Sequence, residues 1–144
     1  MMFPNFELSE FLESDTARRK KIDNFPSFEV VEHLKELTST ILQPLRSAWG
    51  SGIVVTSGYR CPELNKALSG ASDTSVHPLG YASDLQPSNG EFDKFVIFAQ
   101  DFLMRNGIPF DQLIVESNKG SRWLHIGLKN RAGEQRRQIK TISL

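Results

Sequence analysis

The amino-acid sequence predicts an α+β fold, in which a small antiparallel sheet is flanked by helices. Patterns typical of amphipathic helices dominate the first part of the chain, and short β-branched segments cluster in the later part. This order favours α+β over a doubly wound sheet, in which strands and helices would alternate. The chain has 144 residues, a length typical of one domain with its own hydrophobic core. We therefore expect a single domain over residues 1–144.

The first half of the chain predicts two helices. Within residues 3–24, Leu8, Phe11 and Leu12 lie at helical spacing and are followed by a polar segment. Ser9 is followed three residues later by Leu12, so no capping box is expected at that point. A longer apolar stripe comprises Phe28, Val31, Leu34, Leu37, Thr38, Ile41, Leu42 and Leu45. Pro44 should end or kink this second helix near Gln43.

The second half predicts the strands and two further helices. Ile53–Thr56 is β-branched and lies between glycines, which is typical of a strand. The segments expected after it are a short helix over Cys61–Ser69, a loop over Gly70–Pro78, a short strand carrying Asp84 and a helix from Phe92 to Met104. A hairpin should then form from Leu113–Val115 and Trp123–Leu128 around the turn-rich Ser117–Ser121, with Ile139 and Ile142 in a closing strand.

Composition excludes several classes of protein. Lysine plus arginine and aspartate plus glutamate both number 17, so the basic excess typical of a nucleic-acid-binding protein is absent. The basic runs at residues 18–21 and 136–137 are expected on solvated surfaces. Cys61 is the single cysteine, which excludes an internal disulfide and a cysteine-rich zinc site.

The N-terminal segment and the overall hydropathy pattern predict a protein made in the cytoplasm. Residues 1–7 lack the basic and apolar regions of a secretory signal. No apolar stretch approaches the roughly 20 residues of a membrane span. We therefore expect no membrane association, and any substrate outside the membrane would require the protein to be released.

Two histidines and an aspartate form the candidate chemical site. His77 precedes Pro78, Asp84 follows seven residues later on a predicted strand, and His125 lies on another strand. Two imidazoles and a carboxylate leave one position open on a tetrahedral zinc ion, which polarises carbonyls and lowers the pKa of bound water to roughly 7. The sequence therefore predicts a zinc hydrolase. An isolated His-x6-Asp is a weak signal by itself, and a site without metal is the alternative.

Other reactive side chains have structural interpretations that we favour. His33 lies beside the long helical stripe and is expected to be half-buried rather than a ligand. Tyr59 and Tyr81 are expected to be core or strand aromatics. Cys61 has no evident base in the sequence and is expected to be a small half-buried residue.

Several motifs occur in one order along the chain. They are Ser57-Gly58-Tyr59-Arg60, Asn65, Ser75-x-His77-x-x-Gly80-x-Ala82-x-Asp84, Asp111-Gln112-Leu113-Ile114-x-Glu116 and Trp123-x-His125. Together they resemble the zinc D-Ala-D-Ala carboxypeptidases and L-alanyl-D-glutamate endopeptidases, in particular the short single-domain branch common in bacteriophages and bacteria. The similarity extends from Phe6 to about residue 131.

The resemblance implies a fold, an activity and a set of residue roles. The fold is the small α+β fold shared with Hedgehog signalling domains, and the activity is cleavage of peptidoglycan stem peptides. His77, Asp84 and His125 match the zinc ligands of the family. Arg60 matches the arginine that holds the substrate carboxylate or steadies the oxyanion, and Ser75 resembles a substrate-contacting serine. Asn65 is expected to support the Arg60 loop.

One position departs from the pattern of many family members. These place the catalytic acid/base three residues before the last histidine ligand, and that position is Arg122 here, which stays protonated. The short branch carries a glutamate at the end of the preceding strand, and Glu116 matches it. Hairpin geometry would place Glu116 opposite Trp123 or Arg122 and near His125. Trp123 is then either a core wall or a substrate contact, while Asp111 is expected to cap the turn after Pro109.

The resemblance leaves alternatives open about function. The cleaved bond could be D-Ala-D-Ala, L-Ala-D-Glu or a cross-bridge, and the protein could be a phage lysis enzyme or a host remodelling enzyme. A zinc-stabilised module that binds wall or a protein without hydrolysis is a second hypothesis. A nucleic-acid partner is disfavoured by the charge balance. Oligomeric state is not predicted.

Overall fold

The computed structural model describes residues 2–68, 72 and 74–144, apart from the side chain of Met2. The helices are α1 (Leu8–Leu12), α2 (Asp15–Lys20), α3 (Phe28–Leu37), α4 (Gln43–Trp49), α5 (Pro62–Ala67) and α6 (Phe92–Arg105). A π-helical turn, Thr38–Leu42, joins α3 to α4, and a 3₁₀ turn covers His77–Leu79. The strands are β1 (Met2–Phe3), β2 (Phe6–Glu7), β3 (Ile53–Ser57), β4 (Ala82–Pro87), β5 (Gln112–Asn118), β6 (Ser121–Gly127) and β7 (Gln138–Ser143).

Five strands form the central sheet in the order β3-β4-β6-β5-β7. The first three pairings are antiparallel, and β7 pairs with β5 in parallel. The predicted α+β fold with a mainly antiparallel sheet is therefore confirmed, and the closing strand at Ile139 and Ile142 is parallel rather than antiparallel. A separate short hairpin, β1-β2, was not predicted.

The hydrophobic core lies between one face of this sheet and the helices. Leu85 of β4, Leu113 of β5 and Leu124 of β6 pack in one buried cluster with Leu34 of α3 and Phe95 of α6. Because successive side chains of a strand point to opposite faces of the sheet, the residues next to these leucines along each strand point to the other face. That second face carries the polar site described below.

The long helix begins at Phe28, as the apolar stripe predicts, but its buried face and its far end differ from the prediction. Phe28 is 81% exposed, so the buried stripe begins further along, at Leu34. The chain stays helical through Pro44 to Trp49, so of the two predicted outcomes, an end or a kink near Gln43, the end is wrong. Just before Pro44, the helical hydrogen bonds span five residues instead of four, and the N–H of Gln43 donates to the carbonyl of Thr38. Such π-type bulges interrupt the regular i→i−4 bonding, and the missing N–H of Pro44 falls just after this interruption.

Several shorter segments also differ from the sequence-based prediction. The polar segment after α1 forms helix α2, with Ser14 Oγ accepting from the N–H of Ala17. The end of the predicted loop forms the 3₁₀ turn at His77–Leu79. The predicted helix end at Ser69 and the loop positions Gly70, Ala71 and Asp73 lie outside the described residues.

The β5-β6 hairpin has a tighter turn than predicted. Its strands pair up to Asn118 and Ser121, which leaves Lys119 and Gly120 as the turn. Both have positive φ, 50° and 86°, which is typical of the type I′ turns that suit twisted hairpins. The register places Glu116 directly opposite Trp123, as one of the two predicted pairings required.

Candidate metal centre

The structure brings His77, Asp84 and His125 together on the polar face of the sheet. Asp84 and His125 are direct partners on β4 and β6, while His77 enters from the 3₁₀ turn before β4. One potential ligand atom from each of the three lies within 4.8 Å of the other two. The three residues are only 2%, 5% and 8% exposed. Two distant segments of the chain therefore converge on one buried point.

His77 is held in a fixed orientation by the backbone. Its Nδ1–H donates to the carbonyl oxygen of Gly58 over 2.6 Å, which leaves Nε2 facing Asp84 Oδ1 at 3.4 Å. A carbonyl partner of this kind selects the ring tautomer of a metal-binding histidine. Gly58 itself allows a close approach, because a Cβ there would lie 2.7 Å from backbone atoms of Phe11.

The turn that carries His77 depends on glycine at position 80. Gly80 has φ of +82°, and its N–H donates to the carbonyl of His77. A Cβ at this position would lie 2.8 Å from the carbonyl oxygen of Val30. The chain therefore reverses tightly at Gly80, between His77 and Asp84.

Arg60 lies against the carboxylate of Asp84. Its Nη2 donates to Asp84 Oδ2 over 3.2 Å, its Nε donates to Ser57 Oγ and its Nη1 donates to Asn65 Oδ1. Asn65 thus supports the Arg60 loop, as expected. Three of the five N–H groups of a guanidinium are therefore engaged by the chain itself.

Burial and charge act in opposite directions on the three central groups. Burial would raise the pKa of Asp84, but the charges and hydrogen bonds of His77 and His125 outweigh it and hold that pKa well below its usual range. Burial lowers the pKa of His77, and Asp84 offsets this only in part. Burial also opposes protonation of His125, but its hydrogen bond to Asp84 raises the pKa of this ring above its ordinary value. An ionised carboxylate and a neutral His77 are the protonation states that metal binding requires.

Glu116 lies beside the cluster and is held by Trp123. The indole Nε1–H of Trp123 donates to Glu116 Oε1 over 2.7 Å, and the same oxygen lies 4.0 Å from His125 Nδ1. Arg122 instead pairs with Asp93 over 2.9 Å. Among the described residues, Glu116 is thus the further carboxylate in contact with the three central residues, and the half-buried Trp123 lies against it.

These residues line a cleft of about 930 Å³. Ser75 is part of its wall, and its Oγ accepts from the N–H of His77. His33 lies outside the central cluster, where it stacks on Tyr81 with ring centroids 4.1 Å apart. Cys61 is half-buried, and its Sγ accepts from the N–H of Leu64 at the start of α5. Tyr59 belongs to the buried core.

A family model described as peptidase M15 matches residues 4–126 of the chain. The chain belongs to the peptidase M15 family. This is the zinc D-Ala-D-Ala carboxypeptidase type that the ordered motifs resemble, so the predicted family is confirmed. A search of curated proteins finds no match.

The side chains of this M15 family member fit a zinc ion. The family is zinc-dependent, and two imidazoles with one carboxylate form a typical donor set for catalytic zinc. His77 Nε2, Asp84 Oδ1 and His125 Nδ1 converge, and the Nδ1–H of His77 has the hydrogen-bond partner outside the cluster that such ligands need.

The helices of the described residues were also compared with the requirements of a membrane span. None of them combines the length and the apolar character that a span needs.

Sequence reasoning missed one polar pair in the wall of the cleft. Asp111 does not cap the turn after Pro109 but is 2% exposed and accepts from the Nε, the Nη2 and the backbone N–H of Arg136. Arg137 donates to the carbonyl of Ile108, so the basic run at 136–137 is not simply solvated. Nothing in the spacing of Asp111 and Arg136 indicates this contact, because the parallel pairing of β7 creates it.

Proposed function

We propose that this M15 peptidase hydrolyses peptide bonds in peptidoglycan stem peptides, with His77, Asp84 and His125 as its zinc ligands. The observation that carries the proposal is the convergence of three buried ligand atoms within 4.8 Å of one another, beside the Glu116 carboxylate. D-Ala-D-Ala carboxypeptidase and L-Ala-D-Glu endopeptidase activity are the two forms that the family resemblance supports.

Zinc, when bound, polarises the scissile carbonyl and makes hydroxide available near neutral pH. Glu116 is the group that takes the proton from the attacking water and returns it to the departing amine. Its position supports this role, because Oε1 lies 4.0 Å from His125 and is oriented by Trp123. A general base must lie within reach of the water it activates, directly or after small adjustment.

Arg60 steadies the negative charge that develops on the carbonyl oxygen. Its side chain is 13% exposed and is fixed by Ser57, Asn65 and Asp84, so it needs little reorganisation during the reaction. Preorganised donors of this kind stabilise oxyanions effectively, and losing one costs about a hundredfold or more in kcat. Ser75 and Trp123 line the cleft and are the proposed substrate contacts.

The test is turnover of purified muropeptides by the zinc-loaded full chain, followed by counting of new amine termini and mass analysis of the products. We expect release of product by wild type and loss by orders of magnitude in His125→Ala and Glu116→Gln. Glu32→Gln is the matched control, since Glu32 lies on α3 and pairs with Lys35. Wild type that gives no more product than a chelated sample would contradict the proposal.

The same experiment separates hydrolysis from binding alone. A zinc-stabilised module that binds wall peptides without turnover would bind muropeptides equally well as wild type and as Glu116→Gln, and neither would release amines.

A further inference from the structure

We propose that Arg131 binds the free α-carboxylate of the substrate residue that provides the leaving amine. This assignment rests on the proposed function and specifies the substrate class: peptides whose leaving residue keeps an ionised α-carboxyl group. It separates two roles that the family resemblance left together at Arg60, carboxylate binding and oxyanion stabilisation.

Charge pairing within the cleft supports the assignment. Glu13 and Asp15 both pair with Arg18, Asp111 pairs with Arg136, and Asp84 pairs with Arg60. Arg131 lines the same cleft and, within the described part of the chain, forms no ion pair. Among the described arginines that line the cleft, it is therefore the one whose charge stays available for an anionic group of a ligand.

The exposed Arg131 is linked to the candidate metal centre through Ser75. Its Nη2 donates to the carbonyl oxygen of Ser75 over 3.0 Å, and the side chain of Ser75 accepts from the N–H of His77. The turn that carries Arg131 is also fixed, because Asn130 Oδ1 accepts from the N–H groups of Ala132 and Glu134. One guanidinium nitrogen is anchored, and the other N–H groups stay available for a bidentate contact.

The other two arginines in the wall suit this role less well. Arg60 already spends three N–H groups on Ser57, Asn65 and Asp84. Arg136 directs Nε and Nη2 to the two oxygens of Asp111. Turning either guanidinium toward a substrate would remove a charged partner from a buried carboxylate, Asp84 or Asp111, which is costly.

The two candidate bonds share the group that Arg131 would recognise. In D-Ala-D-Ala the leaving residue ends in an α-carboxylate. In the L-Ala-D-Glu bond of a stem peptide, D-glutamate continues the chain through its γ-carboxyl group and keeps its α-carboxyl group free. A single cation beside the leaving residue therefore serves either substrate, provided that this carboxyl group is not amidated.

The experiment compares matched peptides that carry an α-carboxylate or an α-carboxamide on the leaving residue, for both bond types. We expect wild type to prefer the carboxylate by about tenfold or more, as charge-assisted hydrogen bonds allow. Arg131→Gln should raise KM for the carboxylate peptide, leave the carboxamide peptide nearly unchanged and so abolish the preference. Arg131→Lys should retain part of it, and Arg105→Gln, on the exposed surface of α6, should retain all of it.

Calorimetric binding of the same peptides to Glu116→Gln protein, with and without Arg131→Gln, tests the assignment independently of turnover. Wild type that cleaves neither peptide would overturn the proposed function, whereas the binding preference decides the role of Arg131. Equal binding of carboxylate and carboxamide peptides, including no binding of either, would overturn the assignment. Equal losses on both peptides in Arg131→Gln would also overturn it, since they would indicate a structural role through Ser75.

Discussion

At the scale of single residues, the Trp123–Glu116 hydrogen bond is the contact that most directly prepares the proposed chemistry. Glu116 lies within β5, and its side chain lines the cleft. The indole N–H fixes one carboxylate oxygen at 2.7 Å and holds it on the side of His125. Trp123 would thereby position the proposed general base, and it also forms part of the cleft wall.

Trp123→Phe should therefore lower kcat by about tenfold, because the carboxylate loses its orienting donor while the ring volume is largely kept. The unfolding midpoint and zinc content should stay close to wild type. In a Glu116→Gln background the same change should have no further effect on kcat. Trp49→Phe is the matched control, since the Nε1 of Trp49 is buried without a partner in the described structure. A full tenfold loss in the Glu116→Gln background would contradict this account.

At the scale of elements, the Asp111–Arg136 pair connects the residues that come just before β5 with those that come just before β7. Asp111 precedes β5, and Arg136 lies two residues before β7. Burial would raise the pKa of Asp111, but its hydrogen bonds to Arg136 outweigh this and lower it. The contact therefore stabilises the only parallel pairing among the described strands, in which few local turns help to set the register.

Asp111→Asn should reduce the free energy of unfolding by about 1–2 kcal/mol at neutral pH, after allowing for the solvent around Arg136. Because the folded pKa is depressed, this contribution is complete above the unfolded carboxyl pKa of about 3.9 and is lost as pH falls through the folded pKa. Denaturant unfolding of wild type and variant should therefore differ at pH 7 and converge in acid. Asp101→Asn, at an exposed pair on α6, should change little. A difference that persists unchanged at low pH would refute the linkage.

At the scale of the whole molecule, the sheet separates two environments. One face packs on the helices in an apolar core, and the other presents three buried titratable groups in a cleft. Groups of that kind are costly to bury without compensation. A bound cation offsets the cost, so metal binding and folding should be thermodynamically linked.

Zinc should therefore raise the thermal unfolding midpoint. At a free zinc concentration one hundred times Kd, the gain is about 2.7 kcal/mol, which corresponds to several degrees for a chain of this size. His125→Ala should lose the zinc-dependent increment. His33→Ala, a histidine stacked on Tyr81 away from the cluster, should keep it even if its starting midpoint is lower. An equal rise in both variants would show that zinc binds elsewhere.

Short-range patterns in the sequence were enough for much of the fold and for the composition of the site. Hydrophobic spacing predicted α6 and the β5-β6 hairpin, because the period of apolar residues follows directly from helix and strand geometry. The ordered motifs predicted the family, and they predicted that His77, Asp84 and His125 belong to one site. The pattern could not tell an end from a kink at Pro44, and the chain continues as a helix after a π-turn over Thr38–Leu42.

The sequence by itself determined the class of fold, the family and the donor types available to a metal. Only the tertiary structure decided which atoms face one another: the carbonyl of Gly58 on His77, the indole of Trp123 on Glu116 and the guanidinium of Arg136 on Asp111. Such contacts join residues that are distant in the chain, and their geometry depends on strand register and on close backbone approach at glycines. The hairpin pattern limited Glu116 to two possible partners, but it did not place the contacting side-chain atoms, so the distribution of charge within the cleft was decided by the fold as a whole.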